Sequence, residues 1–121
     1  MIKMVYCVQK RGDIGEEEFH RYWLENHGPL VKSFAKTIKA LRYVQSHTVL
    51  PEVNQSMLEG RGLKPPYDGI TEIWWNSLED LVAGYSTEEG AKAADALQND
   101  ESKFIDFSES RIFMTEEHEI F

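Results

Sequence analysis

Apolar and polar positions change period along this chain, and each change marks an element. Residues 2–9 alternate and are rich in β-formers, the two-residue period of a strand. Gly12-Asp13-Ile14-Gly15 is a turn. Glu16, Glu17 and Glu18 then fill a first helical turn, where carboxylates oppose the positive end of the helix dipole. Phe19, Trp23 and His27 lie four apart and share one face, so His27 prolongs an aromatic stripe, with Tyr22 beside it. Gly28-Pro29 predicts an interruption, because proline lacks an N–H and disfavours helical geometry in the residue before it. Leu30, Val31, Phe34 and Ile38 predict a second helical segment restarting at Pro29.

Residues 41–50 read as the second strand. Residues 51–68 carry three prolines and no period, so a long loop is expected there. Residues 69–76 form the third strand. Ser77 with Asp80 starts a helix whose apolar face is Leu78, Leu81, Val82 and Tyr85. Ser86-Thr87-Glu88-Glu89 fits a capping box for a second, short helix carrying Ala91, Ala94 and Leu97. Residues 111–121 read as the last strand. The order βαββαβ predicts an α+β fold of the split βαβ, ferredoxin-like type, a four-stranded antiparallel sheet with helices on one face. Strand alternation sends Trp74 or Trp75 to the other face, and a large bare apolar patch on a monomer is unusual. A homodimer joined through its sheet faces would cover that patch and leave a barrel-like space between the sheets.

Composition narrows the function. The 121 residues suit one domain over 1–121, and 41% hydrophobic content suffices for a core. A net charge of −8 repels phosphate backbones and anionic bilayers, so no nucleic-acid or membrane partner is expected. The first residues look like a strand and not a signal peptide, and a cytoplasmic location is the expectation. Cys7 is the single cysteine, which leaves no internal disulfide and no zinc-ribbon spacing. With no phosphate-binding glycine loop, nucleophile elbow or Cys-x-x-Cys, neither a nucleotide cofactor nor thiol redox chemistry is expected, and no metal.

The helix motif Phe19…Tyr22-Trp23…His27…Pro29-Leu30 resembles the signature helix of the EthD family. Arg42-Tyr43-Val44-Gln45-Ser46-His47 and Tyr67-Asp68-Gly69-Ile70…Glu72-Ile73-Trp74 match in order, with Phe104-Ile105-Asp106 and Glu117-His118 as weaker echoes. The resemblance implies a dimeric α+β barrel with one ligand cavity per protomer, lined by the first helix and the lumenal sheet face. It also implies cofactor-free lyase, isomerase or cyclase chemistry on a small hydrophobic carbonyl compound, aromatic or lactone. The alternatives are a cofactor-free or haem-linked monooxygenase, in keeping with the same barrel superfamily, and a non-catalytic dimeric ligand-binding module. Some related isomerases use a cysteine beside the histidine; Cys7 matches no such motif.

Candidate residues follow from chemistry and spacing. His27, with an ordinary pKa near 6.5, is either a proton-transfer group at the cavity floor or a buried residue bonding a carbonyl freed by the Gly28-Pro29 break. Tyr22 and Trp23 would contact substrate on the same wall. Tyr43, Gln45 and His47 share a strand face; as three hydrogen-bonding groups they are placed toward the lumen, with Tyr43 and His47 acting on a carbonyl or phenol, the alternative being a solvated or dimer surface. Glu72 and Trp74 also share a face, where Glu72 is a proton donor in an aromatic space or a salt-bridge partner of Arg42 or Arg111. Asp106 either fixes a histidine tautomer or caps a turn. His20 is expected to be exposed, Cys7 packed, and His118 part of a solvated acidic end. Met57, Leu58 and Leu63 would close over the cavity.

Overall fold

The sheet is assembled from the four alternating segments. A computed structural model describes residues 1–121. Strands β1 (Ile2–Val8), β2 (Arg42–His47), β3 (Gly69–Trp75) and β4 (Arg111–Thr115) pair antiparallel in the order β2-β3-β1-β4. This is the ferredoxin-like α+β topology. β4 ends at Thr115, short of residue 121, because Thr115 already pairs with Lys3 near the start of β1. No helix is long and apolar enough to cross a membrane.

The first helical region is unbroken. Helix α1 (Glu16–Tyr22) passes through one π-helical turn at Trp23–His27 into α2 (Gly28–Phe34), and the Gly28 N–H bonds the Trp23 carbonyl five residues back. Gly28-Pro29 therefore does not interrupt it. Pro29 falls in the first turn of α2, and the wide turn before it accommodates a ring that would clash with the carbonyl four residues back in a regular helix.

Residues 51–68 are not all loop. Leu50 turns the chain at φ 57 and helix α3 (Pro51–Glu59) follows, with proline at the start, where its missing N–H costs nothing. None of its side chains is buried, so no core-facing period announced it. Helix α4 (Leu78–Ser86) is capped by Ser77, whose side chain accepts from the Asp80 N–H. Thr87 caps α5 (Glu88–Glu101) through the Gly90 N–H, and that helix runs 14 residues rather than a short turn or two.

The helices cover one sheet face through two apolar clusters. Phe19, Trp23 and Phe104 pack with Val8 and Ile105, while Ile38, Ile73, Trp75 and Ala93 form the second. Register decides which side chains join them. Tyr43 lies opposite Ile73, Gln45 opposite Thr71 and His47 opposite Gly69, so this polar row faces the helices and not a lumen between sheets. The open face carries Glu72, Trp74 and Phe113 with Lys3, Val5 and Cys7. Cys7 is only half-buried there. Glu72 pairs with Lys3 at 2.7 Å, not with an arginine. The Trp74 ring holds Lys3 at 5.4 Å and Arg42 at 4.7 Å, and its N–H donates to Glu117 at 2.6 Å.

The second cluster depends on a close backbone approach. The Ile38 carbonyl accepts the Trp75 indole N–H at 2.8 Å and lies directly over Gly84. A methyl group at Gly84 would overlap that carbonyl, which cannot swing aside as a side chain would. Gly84→Ala is expected to cost about 3 kcal/mol in urea unfolding. Gly12→Ala, with open space around it, should stay within about 0.5 kcal/mol.

Candidate active site

A cavity of about 520 Å³ lies within one chain, between the covered sheet face and the helices. Its size suits a small organic ligand. The expected position of the strand row is thereby corrected: Tyr43, Gln45 and His47, which were to line a lumen between sheets, point under the first helix. Met4, Ile73, Val31 and Leu97 supply apolar wall, and Trp23 closes one side. Among them stand Tyr6, His27, Tyr43, Thr71, Tyr85 and Glu101.

His27 is held from behind by a carboxylate. Its Nδ1 lies 2.8 Å from Asp100 Oδ2, and the Tyr22 hydroxyl donates to Asp100 Oδ1 at 2.5 Å. Only 5% of His27 is exposed, and burial pulls its pKa below the ordinary value although Asp100 opposes the shift. The imidazole is therefore neutral at pH 7. Burial would raise Asp100, but the bonds from Tyr22 and His27 prevail and hold its carboxyl below the usual range. The neutral ring gives its Nδ1–H to the carboxylate, which leaves the Nε2 lone pair without a protein partner. Nε2 is a base in an apolar cavity. No carbonyl freed by a helix break is involved, since the helix does not break.

The strand row does a different job. Gln45 donates its amide to the Trp23 carbonyl and the Tyr43 hydroxyl, both at 2.8 Å, and accepts from His47 Nε2 at 2.8 Å. Tyr43 lines the cavity, but Gln45 and His47 stand behind its wall. His47 stacks on the Trp23 indole with centroids 4.3 Å apart, and its Nδ1 meets His20 Nδ1 at 2.7 Å. His20 is thus half-buried instead of exposed. Since His47 Nε2 donates to Gln45, its neutral Nδ1 must accept, and His20 supplies the proton. Three polar groups are tolerated against the helices because they satisfy one another.

Other candidates lie elsewhere. Tyr22 holds Asp100 without reaching the cavity wall, whereas Trp23 forms part of it. Glu72 and Trp74 are on the opposite sheet face. Asp106 caps the turn at Phe107–Glu109 by accepting from the Ser108 N–H, in a separate hollow shared with Arg11 and Asp13. It is Asp100, not Asp106, that fixes a histidine. His118 meets only Glu116, at 3.5 Å. Met57, Leu58 and Leu63 do not border the cavity. Sequence reasoning missed Asp100, Glu101 and Tyr6. The available signal was the spacing Gly90, Ala93, Leu97, Asp100, which puts a carboxylate on the buried face of α5.

Comparison with known proteins bears on both fold and family. The family model described as EthD domain matches residues 11–108. An ethyl tert-butyl ether d (EthD) family protein of Bacillus halodurans superposes with a TM-score of 0.66 at 18% identity, covering 98% of this chain and 99% of that one. SnoaB, described as a cofactor-independent oxygenase from Streptomyces nogalater, gives a TM-score of 0.55 at 10% identity, with 98% and 93% covered. HapK from Hahella chejuensis gives 0.55 at 13% identity, with 93% and 90% covered. At these identities the likeness establishes the fold alone. No curated protein matches the sequence.

Asp100→Ala would strand both the His27 N–H and the Tyr22 O–H. The expected loss at pH 7 is about 2–4 kcal/mol of unfolding free energy, measured with urea. The carboxyl is lowered in the folded state, so its contribution is present above the unfolded value of about 4 and fades as pH falls through the folded value. The gap between parent and variant should narrow in that acid range.

Proposed function

Because the chain belongs to the EthD domain family, we propose that it is a cofactor-free enzyme moving a proton on a small hydrophobic carbonyl compound. The observation that carries this reading is His27, neutral, fixed at Nδ1 by Asp100 and unpartnered at Nε2 inside an apolar cavity. Nε2 would take a proton from the carbon next to a carbonyl, and Asp100 would stabilise the imidazolium so formed. Returning the proton to another atom of the enol gives isomerisation; loss of water or ring closure gives lyase or cyclase outcomes. Tyr43, whose hydroxyl accepts from Gln45, would donate its own proton to a ligand oxygen. His47 acts only through Gln45 and Trp23. The phenols of Tyr6 and Tyr43 are raised by burial and keep their protons.

Oxygen chemistry is the second reading, favoured by the likeness to SnoaB, described as a cofactor-independent oxygenase. In it the same base would generate an electron-rich enolate that reduces oxygen directly. The open sheet face, where Phe113 is 49% exposed and Ile70 38%, supports a homodimer joined there. A domain that left this patch bare would be unusual.

Exchange of the activated methylene protons of 2-tetralone in D2O, followed by NMR, tests the first reading. The parent protein should accelerate exchange, and His27→Ala should lower it by at least 10²-fold while the fold persists; undiminished exchange in that variant refutes the role. Oxygen uptake under the same conditions would move the assignment to the second reading. Phe113→Asp places a charge on the open sheet face, and light scattering should find a dimer for the parent and a monomer for the variant.

A further inference from the structure

Glu101 ends α5 inside the cavity, and no ion pair compensates it. The adjacent Asp100 takes the Tyr22 hydroxyl, His27 and Lys103, but the polar neighbour of Glu101 is Tyr6, reaching across from β1. The groups facing it come from every wall: Tyr6 from β1, Tyr43 from β2, Tyr85 from α4, His27 from the π-helical turn, Asp100 from its own helix and Arg111 from β4. Three are phenols, one is a neutral imidazole and one is a carboxylate committed elsewhere. Arg111 is exposed at the edge strand.

A carboxylate without a cation is costly against apolar wall, and the group escapes that cost by keeping its proton. We propose that Glu101, as a neutral acid beside the Tyr6 phenol, is the oxygen-binding end of the cavity and selects an uncharged ligand carbonyl, with His27 facing the carbon skeleton. The chemistry at His27 rests on the reading above, whereas the selection of an uncharged carbonyl is a binding property that stands apart from turnover. The ligand class is correspondingly narrow: an aryl-fused or similar neutral ketone, and not a carboxylic acid, whose own charge would have to be desolvated against the largely apolar wall. Burial places the proton of Glu101 at about pH 7, with the charge of Asp100 adding to the shift and Tyr6 opposing it. His27 titrates below its ordinary value, so above pH 7 Glu101 is the cavity group whose charge changes first.

The test is binding of 2-tetralone, read by quenching of tryptophan fluorescence at pH 6 and pH 8.5. The ketone can only accept a hydrogen bond, so its dissociation constant should rise roughly thirtyfold as the acid form of Glu101 empties. In Glu101→Gln, which keeps an amide donor at any pH, the constant should stay level. His27→Ala should lose proton exchange yet retain the pH-dependent binding, which separates this inference from the proposed reaction. Binding of 2-naphthoate should be at least tenfold weaker than that of the ketone. A pH-independent constant in the parent, persistence of the pH dependence in Glu101→Gln, equal affinity for 2-naphthoate, or no binding of the ketone at either pH each overturns the proposal.

Discussion

One widened helical turn sets the positions of the groups around it. Residues four apart advance 400° on a regular helix, so the series Phe19, Trp23, His27 and Val31 would drift about 120° around the axis. All four are buried. The π-helical turn at Trp23–His27 takes back part of that drift and keeps them on one face. It also admits Pro29 without a break and directs the Trp23 carbonyl to two donors, the Gly28 N–H and the Gln45 amide. The helix is thereby bonded to β2 at the point where His27 enters the cavity.

From that carbonyl the hydrogen-bond directions propagate. A carbonyl can only accept, so the Gln45 amide nitrogen must face it and the amide oxygen must face His47. His47 then donates through Nε2, accepts at Nδ1, and draws the proton of His20. Gly69 completes the arrangement, because a side chain there would collide with the Trp23 ring that His47 stacks upon. The row on β2 braces the cavity wall from behind, and only Tyr43 looks inward.

Legibility in the sequence followed how local each signal was. Strand alternation, the acidic first turn of α1 and the caps Ser77 and Thr87 are encoded within a few residues, and they placed the sheet and helices. The motif helix and two strand motifs likewise pointed to the EthD family, whose model covers residues 11–108. Polarity alone points Tyr43, Gln45 and His47 away from the helices, but the row turns inward because its groups satisfy one another and the Trp23 carbonyl under a helix. Helix α3 was hidden by the absence of a buried face. Asp100 lies 73 residues from His27, and no local pattern joins them. Of the two roles open to Asp106 from the sequence, the structure shows the turn cap, its side chain accepting from the Ser108 N–H.

The same physical cause acts oppositely on the two proton-handling groups of the cavity, and the result bears on what they can do together. In water a glutamic acid gives its proton to an imidazole, since 4.3 lies below 6.5, and an ion pair results. Inside this cavity burial lowers His27 and raises Glu101 to about 7. The order is reversed: below about pH 7 Glu101 keeps its proton while the lowered His27 stays basic and uncharged. An acid and a base that coexist unionised can act on one neutral molecule from two ends, the base withdrawing a proton from carbon as the acid supports the oxygen. Asp100 prevents His27 from losing its basicity altogether, because its charge partly offsets the desolvation of the imidazolium. Charge therefore stays on Asp100, behind the ring, which is the arrangement that the proposed uncharged ligand requires.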